Sequence, residues 1–309
     1  MSGQTAEILL PTYNGARYIR EQLDSILAQT DQRWHLTLSD DGSNDGTPEI
    51  LDEYARRYPE KIRRVVSGRR FGNARDHFFW LARQCDADYI MTCDQDDVWH
   101  DDKVRLELEA LLSAQAEFGG DAPILVFTDL APVDERLRPI SPSLMEMQQQ
   151  NPKATDYRNL LFQNIVSGGT VAMNRPLKEL AMRCVQTDQT IMHDWWFALV
   201  AARFGHMVYV DRATMMYRQH GDNSVGARDV RSLSYLIYKL THLVEFQKSV
   251  ADKKRQAEIF TQTFSERLSE EEKKVLRAFS APRSPLGMKW RYLKWINTPL
   301  RRIGFMARW

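Results

Sequence analysis

Tyr89-Ile90-Met91-Thr92-Cys93-Asp94-Gln95-Asp96-Asp97-Val98-Trp99 is a short apolar run that ends in three carboxylates. Carboxylates this close repel one another unless a cation or hydrogen-bond donors compensate, and hard oxygen ligands suit Mg²⁺ or Mn²⁺. An isolated acidic run reads as a solvated loop. Here the run closes a strand, and the segments before it repeat the same arrangement.

Ile8-Leu9-Leu10 reads as a buried strand that stops at the turn cluster Pro11-Thr12-Tyr13-Asn14-Gly15. Tyr18, Ile19, Leu23, Ile26 and Leu27 follow at helical spacing. Trp34 to Leu38 alternates as a second strand and enters Asp40-Asp41-Gly42-Ser43-Asn44-Asp45-Gly46. Ile50, Leu51 and Tyr54 then mark a helix, Ile62 to Val66 a third strand, and Asn73 to Gln84 the helix leading into the acidic strand. Alternating strand and helix predicts an α/β fold with a mostly parallel sheet and right-handed crossovers, in which ligands bind beyond the C-terminal strand ends. All three polar clusters fall at those ends.

Beyond the acidic loop, Lys103 to Glu117 reads as a helix, Ile124 to Phe127 as a strand, and Pro132 to Lys153 as a long irregular connection. Val166 to Met173 returns to strand character, with Gly168 and Gly169 where backbone approaches something closely. His193-Asp194-Trp195-Trp196 opens an apolar helix, and Val208 to Val210 precedes Tyr217-Arg218-Gln219-His220-Gly221-Asp222-Asn223. After Gly226 only helices are expected. The organisation read from this is a catalytic domain over 1–225 and a helical extension over 226–309.

With 43% hydrophobic and 27% charged residues the 309-residue chain reads as globular rather than disordered, and a net charge of +1 argues against a general nucleic-acid binder. Cys85, Cys93 and Cys184 form no CxxC pair, so neither a disulfide framework nor a zinc cluster is expected. The N-terminus lacks a basic signal-peptide region, and no apolar run reaches the roughly 20 residues needed to span a bilayer. A cytoplasmic location is expected.

Asp41-x-Ser43-x-Asp45-Gly46 imitates an EF-hand calcium loop. It is entered from a strand, and Pro48 occupies a position where a pairing strand is needed, so a nucleotide loop with Asp accepting from base or ribose explains it better.

Pro11-Thr12-Tyr13-Asn14, Asp40-Asp41-Gly42-Ser43-x-Asp45-Gly46, Gly72-x-Ala74-Arg75, Asp94-x-Asp96-Asp97 and His193-Asp194-Trp195-Trp196 follow one another in this order. Over about residues 6 to 225 the chain thereby resembles the inverting glycosyltransferases of family 2, which have the GT-A, Rossmann-like nucleotide-diphospho-sugar transferase fold. Cys-Asp-Gln-Asp-Asp-Val-Trp together with Tyr-Arg-Gln-His-Gly-x-Asn is similar to the branch containing bacterial rhamnosyltransferases of O-antigen and cell-wall polysaccharide assembly.

The resemblance implies roles for individual residues. Pro11, Thr12 and Tyr13 would border the nucleotide base, and Asp41, or Asp40 in its place, would accept from the pyrimidine N3–H. Asp94 and Gln95 would face the ribose or donor sugar. Asp96, with His220 and with Asp97 as ligand or supporting group, would hold Mg²⁺ or Mn²⁺ at the diphosphate. Arg69, Arg70 and Arg75 are candidates for diphosphate contact or for plain surface charges. Asp194 matches the general base, with Gly168, Gly169, His193, Trp195, Trp196 and Arg218 around sugar and acceptor. Asp194 also reads as a helix N-cap, and both tryptophans as core residues.

The chemistry needs these residue types. Breaking the anomeric C–O bond leaves a nucleoside diphosphate with additional charge, which a cation stabilises, and the attacking hydroxyl gives its proton to a carboxylate as it attacks. The expected donor is dTDP-L-rhamnose, with a UDP-hexose or UDP-N-acetylhexosamine as the alternative, and a non-catalytic nucleotide-sugar scaffold as the reading from another class. Leu286, Trp290, Leu293, Ile296, Leu300 and Ile303 recur three or four apart in a tail where Ala281 to Trp309 holds seven Lys or Arg and no acidic residue. That composition suits an amphipathic helix on an anionic membrane, or a docked helix with a solvated basic face. The first option places the protein peripherally on the inner face of the cell membrane with a lipid-linked oligosaccharide acceptor, without nucleic acid, and compatibly with a homo-oligomer.

Overall fold

The computed structural model describes residues 4–221 and 243–281. Strands and helices alternate through its first half: β1 (Ala6–Thr12), α1 (Ile19–Leu27), β2 (Trp34–Asp40), α2 (Thr47–Arg57), β3 (Ile62–Arg64), α3 (Ala74–Gln84) and β4 (Tyr89–Thr92). Then come β5 (Val98–Trp99), α4 (Lys103–Phe118), β6 (Ile124–Val133), the short helices α5 (Leu144–Met147) and α6 (Tyr157–Leu160), β7 (Val171–Asn174), α7 (Arg175–Ala181), α8 (His193–Phe204) and β8 (His206–Arg218). Two helices close the described chain, α9 (Leu243–Thr263) and α10 (Glu270–Ser280).

All eight strands form one sheet in the order β3-β2-β1-β4-β7-β6-β8-β5. From β3 to β4 every pairing is parallel; β7 reverses the direction, and β6 and β8 again run parallel. Register brings Thr12 beside Asp40, so the loops after β1 and β2 leave the sheet together. Ligand loops therefore converge where the parallel strands meet the reversed one.

The two-residue side-chain period of strands sorts the core onto two faces. Ile8, Leu10, Met91 and Val126 pack with Leu23, Leu51 and Leu108 of α1, α2 and α4. Leu9, Ile90, Phe127 and Met173 face the other way, against Phe79 of α3, Phe197 of α8, Phe260 of α9, Phe264 just after it, and Phe279 of α10. Each such aromatic buried from water is worth about 1.5–3 kcal/mol, so the last two helices are part of the core layer. A capping box of Ser269 and Glu272 starts α10, and Glu272 also pairs with Arg203 of α8.

Three elements differ from expectation. β3 ends at Arg64, since the chain leaves the sheet there and Val66 is exposed. The segment before Val171 is a turn of 3₁₀ helix over Gly168–Thr170, bound to β4 by the Thr92 hydroxyl donating to the Gly168 carbonyl. The connection after β6 is partly ordered by Asp129, whose Oδ1 accepts from the Met145 N–H at 3.2 Å and whose Oδ2 takes the Ser143 hydroxyl, fixing α5. The expected boundary at 225/226, the apolar stripe over Leu233 to Leu240 and the basic tail over 284–309 lie outside the described residues.

Candidate active site

The loops after β1 and β2 are laced together. Thr12 Oγ1 donates to Asp40 Oδ1 at 2.8 Å, and Asp40 Oδ2 accepts from the N–H groups of Gly42 and Ser43. Asn14 takes Ser43 Oγ as acceptor for its N–H, Gly15 takes Thr47 Oγ1, and Ala16 takes Asp45 Oδ2. Gln95 of the acidic loop pairs both ways with the Tyr13 backbone, accepting from its N–H at 2.9 Å and donating to its carbonyl at 3.0 Å. A Cβ on Gly15 would lie 2.5 Å from Gln95 Oε1, so a larger residue there would displace the Gln95 amide from its pairing with Tyr13.

Asp41 is buried, and its oxygens accept from the N–H groups of Phe71 (2.5 Å) and Gly72 (2.7 Å). It thus pulls the segment after β3 over the crevice. Phe71 stacks on His77 at 4.6 Å, and His77 Nε2 bonds Ser39 Oγ. Burial holds His77 down to about 4, so it supports the loop as a neutral ring. In this position the Arg70 guanidinium lies 4.7 Å from the centre of the half-exposed Tyr13 ring, at the mouth of the crevice.

The acidic loop is tied down from the far end of β8. Arg218 is 1% exposed. Its N–H donates to Asp97 Oδ1 (3.0 Å), Nε to the Asp96 carbonyl (2.8 Å), one terminal nitrogen to the Glu135 carbonyl (2.8 Å) and the other to Glu21 Oε2 (2.6 Å). The Tyr18 ring lies under the guanidinium and beside His220. His220 Nε2 sits 2.8 Å from Asp96 Oδ2. Asp97 is fully buried, and its Oδ2 has no partner. Burial, and then Asp96 and Asp194, push Asp94 above the ordinary carboxylate range; burial with Asp96 and Asp94 does the same to Asp97.

Across the crevice α8 starts after Met192, which provides no side-chain cap. Asp194 lies in the first turn, where the helix dipole favours negative charge. Its Oδ2 accepts from Asn164 Nδ2 at 2.9 Å, while Oδ1 has no partner. The residue is 8% exposed, and burial pushes it up to about 6 against backbone N–H groups and Asn164. The carboxylate is thus anchored through one oxygen, while the other is buried without a side-chain partner.

A protein-family model described as glycosyl transferase family 2 matches residues 7–173, more than half of the chain. The chain belongs to this family. It is similar to the dTDP-rhamnosyl transferase RfbG of Shigella flexneri, 31% identical over 227 residues that cover 71% of this chain and 74% of that protein. Among solved structures, S. aureus TarS 1-349 in complex with UDP superposes with a TM-score of 0.55 at 13% identity, covering 98% of this chain and 89% of that one. The mannosyltransferase PcManGT from Pyrobaculum calidifontis, in complex with GDP-Man and Mn²⁺, gives 0.51 at 17% identity, covering 98% and 74%. The fold is GT-A, and the protein is a glycosyltransferase.

Within this glycosyltransferase several expected sugar or phosphate contacts are placed elsewhere. Arg218 has its fork committed to Glu21, Asp96 and Glu135, and burial keeps it from a sugar. Trp196 is fully buried, stacks on Phe264 and donates Nε1–H to the Ala181 carbonyl, so it is core. Trp195 is half-buried and donates to the Leu160 carbonyl. Arg75 pairs with Asp76 and donates to the Thr190 carbonyl at 2.7 Å, steadying the segment before α8 rather than facing a diphosphate. Asp41 spends two acceptor sites on its loop; contact with a base uses a remaining lone pair. Asp94, Gly168, Gly169 and His193 do come together: a Cβ on Gly168 would lie 3.3 Å from His193 Nε2 and 3.6 Å from Asp94 Oδ2.

Asn164, Glu21 and Glu135 escaped the sequence reading. Only Asn164 carried a signal, a short polar side chain directly before the apolar approach to Gly168. Among the described residues no three His, Cys, Asp or Glu side chains form a closed cation cage. Asp96 Oδ2 and His220 Nε2, 2.8 Å apart, are the pair that would hold a divalent cation, which would need further oxygen ligands from outside the chain.

Proposed function

We propose that this enzyme transfers a sugar with inversion from a nucleoside-diphosphate donor, most specifically L-rhamnose from dTDP-L-rhamnose, to a lipid-linked glycan at the cytoplasmic membrane face. The observation that carries the reading is Asp194, anchored by Asn164 with its other oxygen unpartnered and close enough to Asp94 to raise that carboxyl. The name of the Shigella relative supports the rhamnosyl donor, and the basic amphipathic tail supports a membrane-held acceptor.

The donor lies in the crevice of the β1, β2 and β4 loops, with its base beside Thr12 and Tyr13 and its diphosphate toward Arg70, Asp96 and His220. The last two residues would hold Mg²⁺ or Mn²⁺, which when bound supplies positive charge against the charge gathering on the leaving diphosphate. The acceptor hydroxyl attacks the anomeric carbon from the face opposite the diphosphate. Its proton passes to Asp194 Oδ1, and the electron pair of the breaking C–O bond leaves with the diphosphate.

A thermal-shift screen of dTDP-L-rhamnose, UDP-glucose and UDP-N-acetylglucosamine, with and without Mn²⁺, tests the donor. A ligand at 100 times its Kd stabilises the native state by about 2.7 kcal/mol. The largest shift is expected for dTDP-L-rhamnose with Mn²⁺. A larger UDP-sugar shift replaces the donor; no shift with any of them removes the nucleotide-sugar reading. Deleting residues 284–309 is expected to abolish binding to anionic liposomes, and unchanged binding would end the membrane part.

A further inference from the structure

One peptide unit in the turn before α8 is held from two directions. The Thr190 carbonyl accepts from Arg75 Nη1 at 2.7 Å, and the Ile191 N–H, across the same peptide bond, donates to Gln256 Oε1 at 2.9 Å. A peptide group is planar, so bonds at its oxygen and at its N–H fix both its place and its tilt. Thr190 and Gln256 are each 2% exposed, which keeps water from competing for these bonds.

The two clamps come from parts of the chain far apart in sequence. Arg75 lies in the first turn of α3, where Asn73 caps the helix and Asp76 steadies the guanidinium fork. Gln256 belongs to α9, beyond the residues 7–173 that match the family model. Packing of α9 on α8 is provided by other side chains, since Phe260, with Phe264 just after the helix, lies against Trp196. What Gln256 adds is direction. Asp194 stands three residues after Ile191, and α8 is entered through an extended Met192 with no side-chain cap, so the first turn does not fix its own entry. The N–H groups that act on the Asp194 carboxyl are its own and that of Trp195, so the aim of the carboxylate follows the setting of that turn.

We propose that Gln256 is a positioning residue for the general base: by holding the 190–191 peptide against Arg75 it sets the first turn of α8, and with it Asp194, toward the crevice. This rests on the reading of Asp194 as the base. It makes the C-terminal helix a part of the catalytic apparatus as well as of the core.

The test uses the full-length chain with Gln256→Met, which fills a similar volume and removes the acceptor. Turnover is read as nucleoside diphosphate released, with water as the acceptor, from the sugar nucleotide of the screen that stabilises the wild type most. It is measured well below each variant's melting temperature, so that lost stability does not register as lost turnover. Gln256→Met should lower kcat about tenfold and leave sugar-nucleotide affinity within about twofold of wild type. Gln256→Glu, whose carboxyl oxygen can take the same N–H, should recover most of the loss. In an Asp194→Asn background Gln256→Met should cost nothing further, because a residue that acts through the carboxylate has nothing left to aim. Hydrogen exchange gives a readout that needs no turnover: the Ile191 amide should exchange about tenfold faster in Gln256→Met, with the amides of α9 unchanged. Unaltered kcat or unaltered Ile191 exchange overturns the proposal, and so does an equal loss of turnover in the wild-type and Asp194→Asn backgrounds. If Asp194→Asn itself turns over near the wild-type rate, the base reading falls, and this inference with it.

Discussion

The two sides of the crevice treat their carboxylates in opposite ways. On the parallel side, Asp40 accepts from the N–H groups of Gly42 and Ser43 in its own loop, Asp41 from those of Phe71 and Gly72, and Asp45 from those of Thr47 and Ala16. Burial pushes Asp45 up, but the Thr47 hydroxyl and the N–H groups of Ala16 and Thr47 outweigh it and hold the carboxyl below its ordinary value. Asp97, in the loop after β4 where the parallel part of the sheet ends, and Asp194 across the crevice each keep one oxygen without a partner, His193 keeps two such nitrogens, and burial raises both carboxyls. One side is complete before any ligand arrives. The other stores unmet hydrogen-bonding capacity beside the crevice, which costs stability.

Asp194→Asn should break the contrast most sharply. Loss of the base is expected to lower turnover by a factor on the order of 10² to 10⁴. The same change should raise stability at pH 8. The folded carboxyl at about 6 lies above the unfolded value, so ionisation opposes folding as pH rises through this window, by an amount on the order of 3 kcal/mol that the amide avoids. Melting curves at pH 8 with steady-state assays read both; near-normal turnover by a folded variant would remove Asp194 from the base position.

A smaller effect is expected in the wild-type pH profile. Because the ionised form accepts the proton, kcat/KM should fall about tenfold per unit below pH 6 and level off above it. A flat profile down to pH 4.5 would assign the base to a group of ordinary acidity.

The smallest change concerns the complete side. Asp45→Asn should lower stability by about 1 kcal/mol, read in the melting temperature. With a depressed folded value the carboxylate stabilises above the unfolded pKa and loses that contribution as pH falls through the folded one, so the difference from wild type should fade below about pH 4. A deficit that does not shrink as pH falls below the unfolded value would mean that shape, not charge, is what Asp45 contributes.

How much of this was legible in the sequence follows from the range of each interaction. The alternation of Leu9 against Ile8 and Leu10, and the helical spacing of Leu23 and Ile26, are local signals, and both appear in the two-faced core. The acidic run could be placed at a strand end for the same reason. Whether a polar tip is aimed at a ligand or at the chain was not legible, because that depends on partners far away. Asp41 meets Phe71 thirty residues on, Asp194 meets Asn164 at the same separation, and Arg218, for which the family resemblance implies a place around sugar and acceptor, meets Asp96 and Glu21. Trp196 was ambiguous because an apolar helix opening has two faces, and only the presence of Phe264 settles which one it joins.

The Arg218 knot bears on the order in which the enzyme becomes competent. Glu21 and Arg218 stand 197 positions apart, and Arg218 reaches back 122 positions to the acidic loop. Closing such long loops is slow compared with forming neighbouring strand–helix units. A chain emerging from the ribosome can lace the β1 and β2 loops together as soon as residue 47 is available, but its acidic loop stays unfastened until β8 has been made. The β1 and β2 loops are thus joined early, and the acidic loop is locked last.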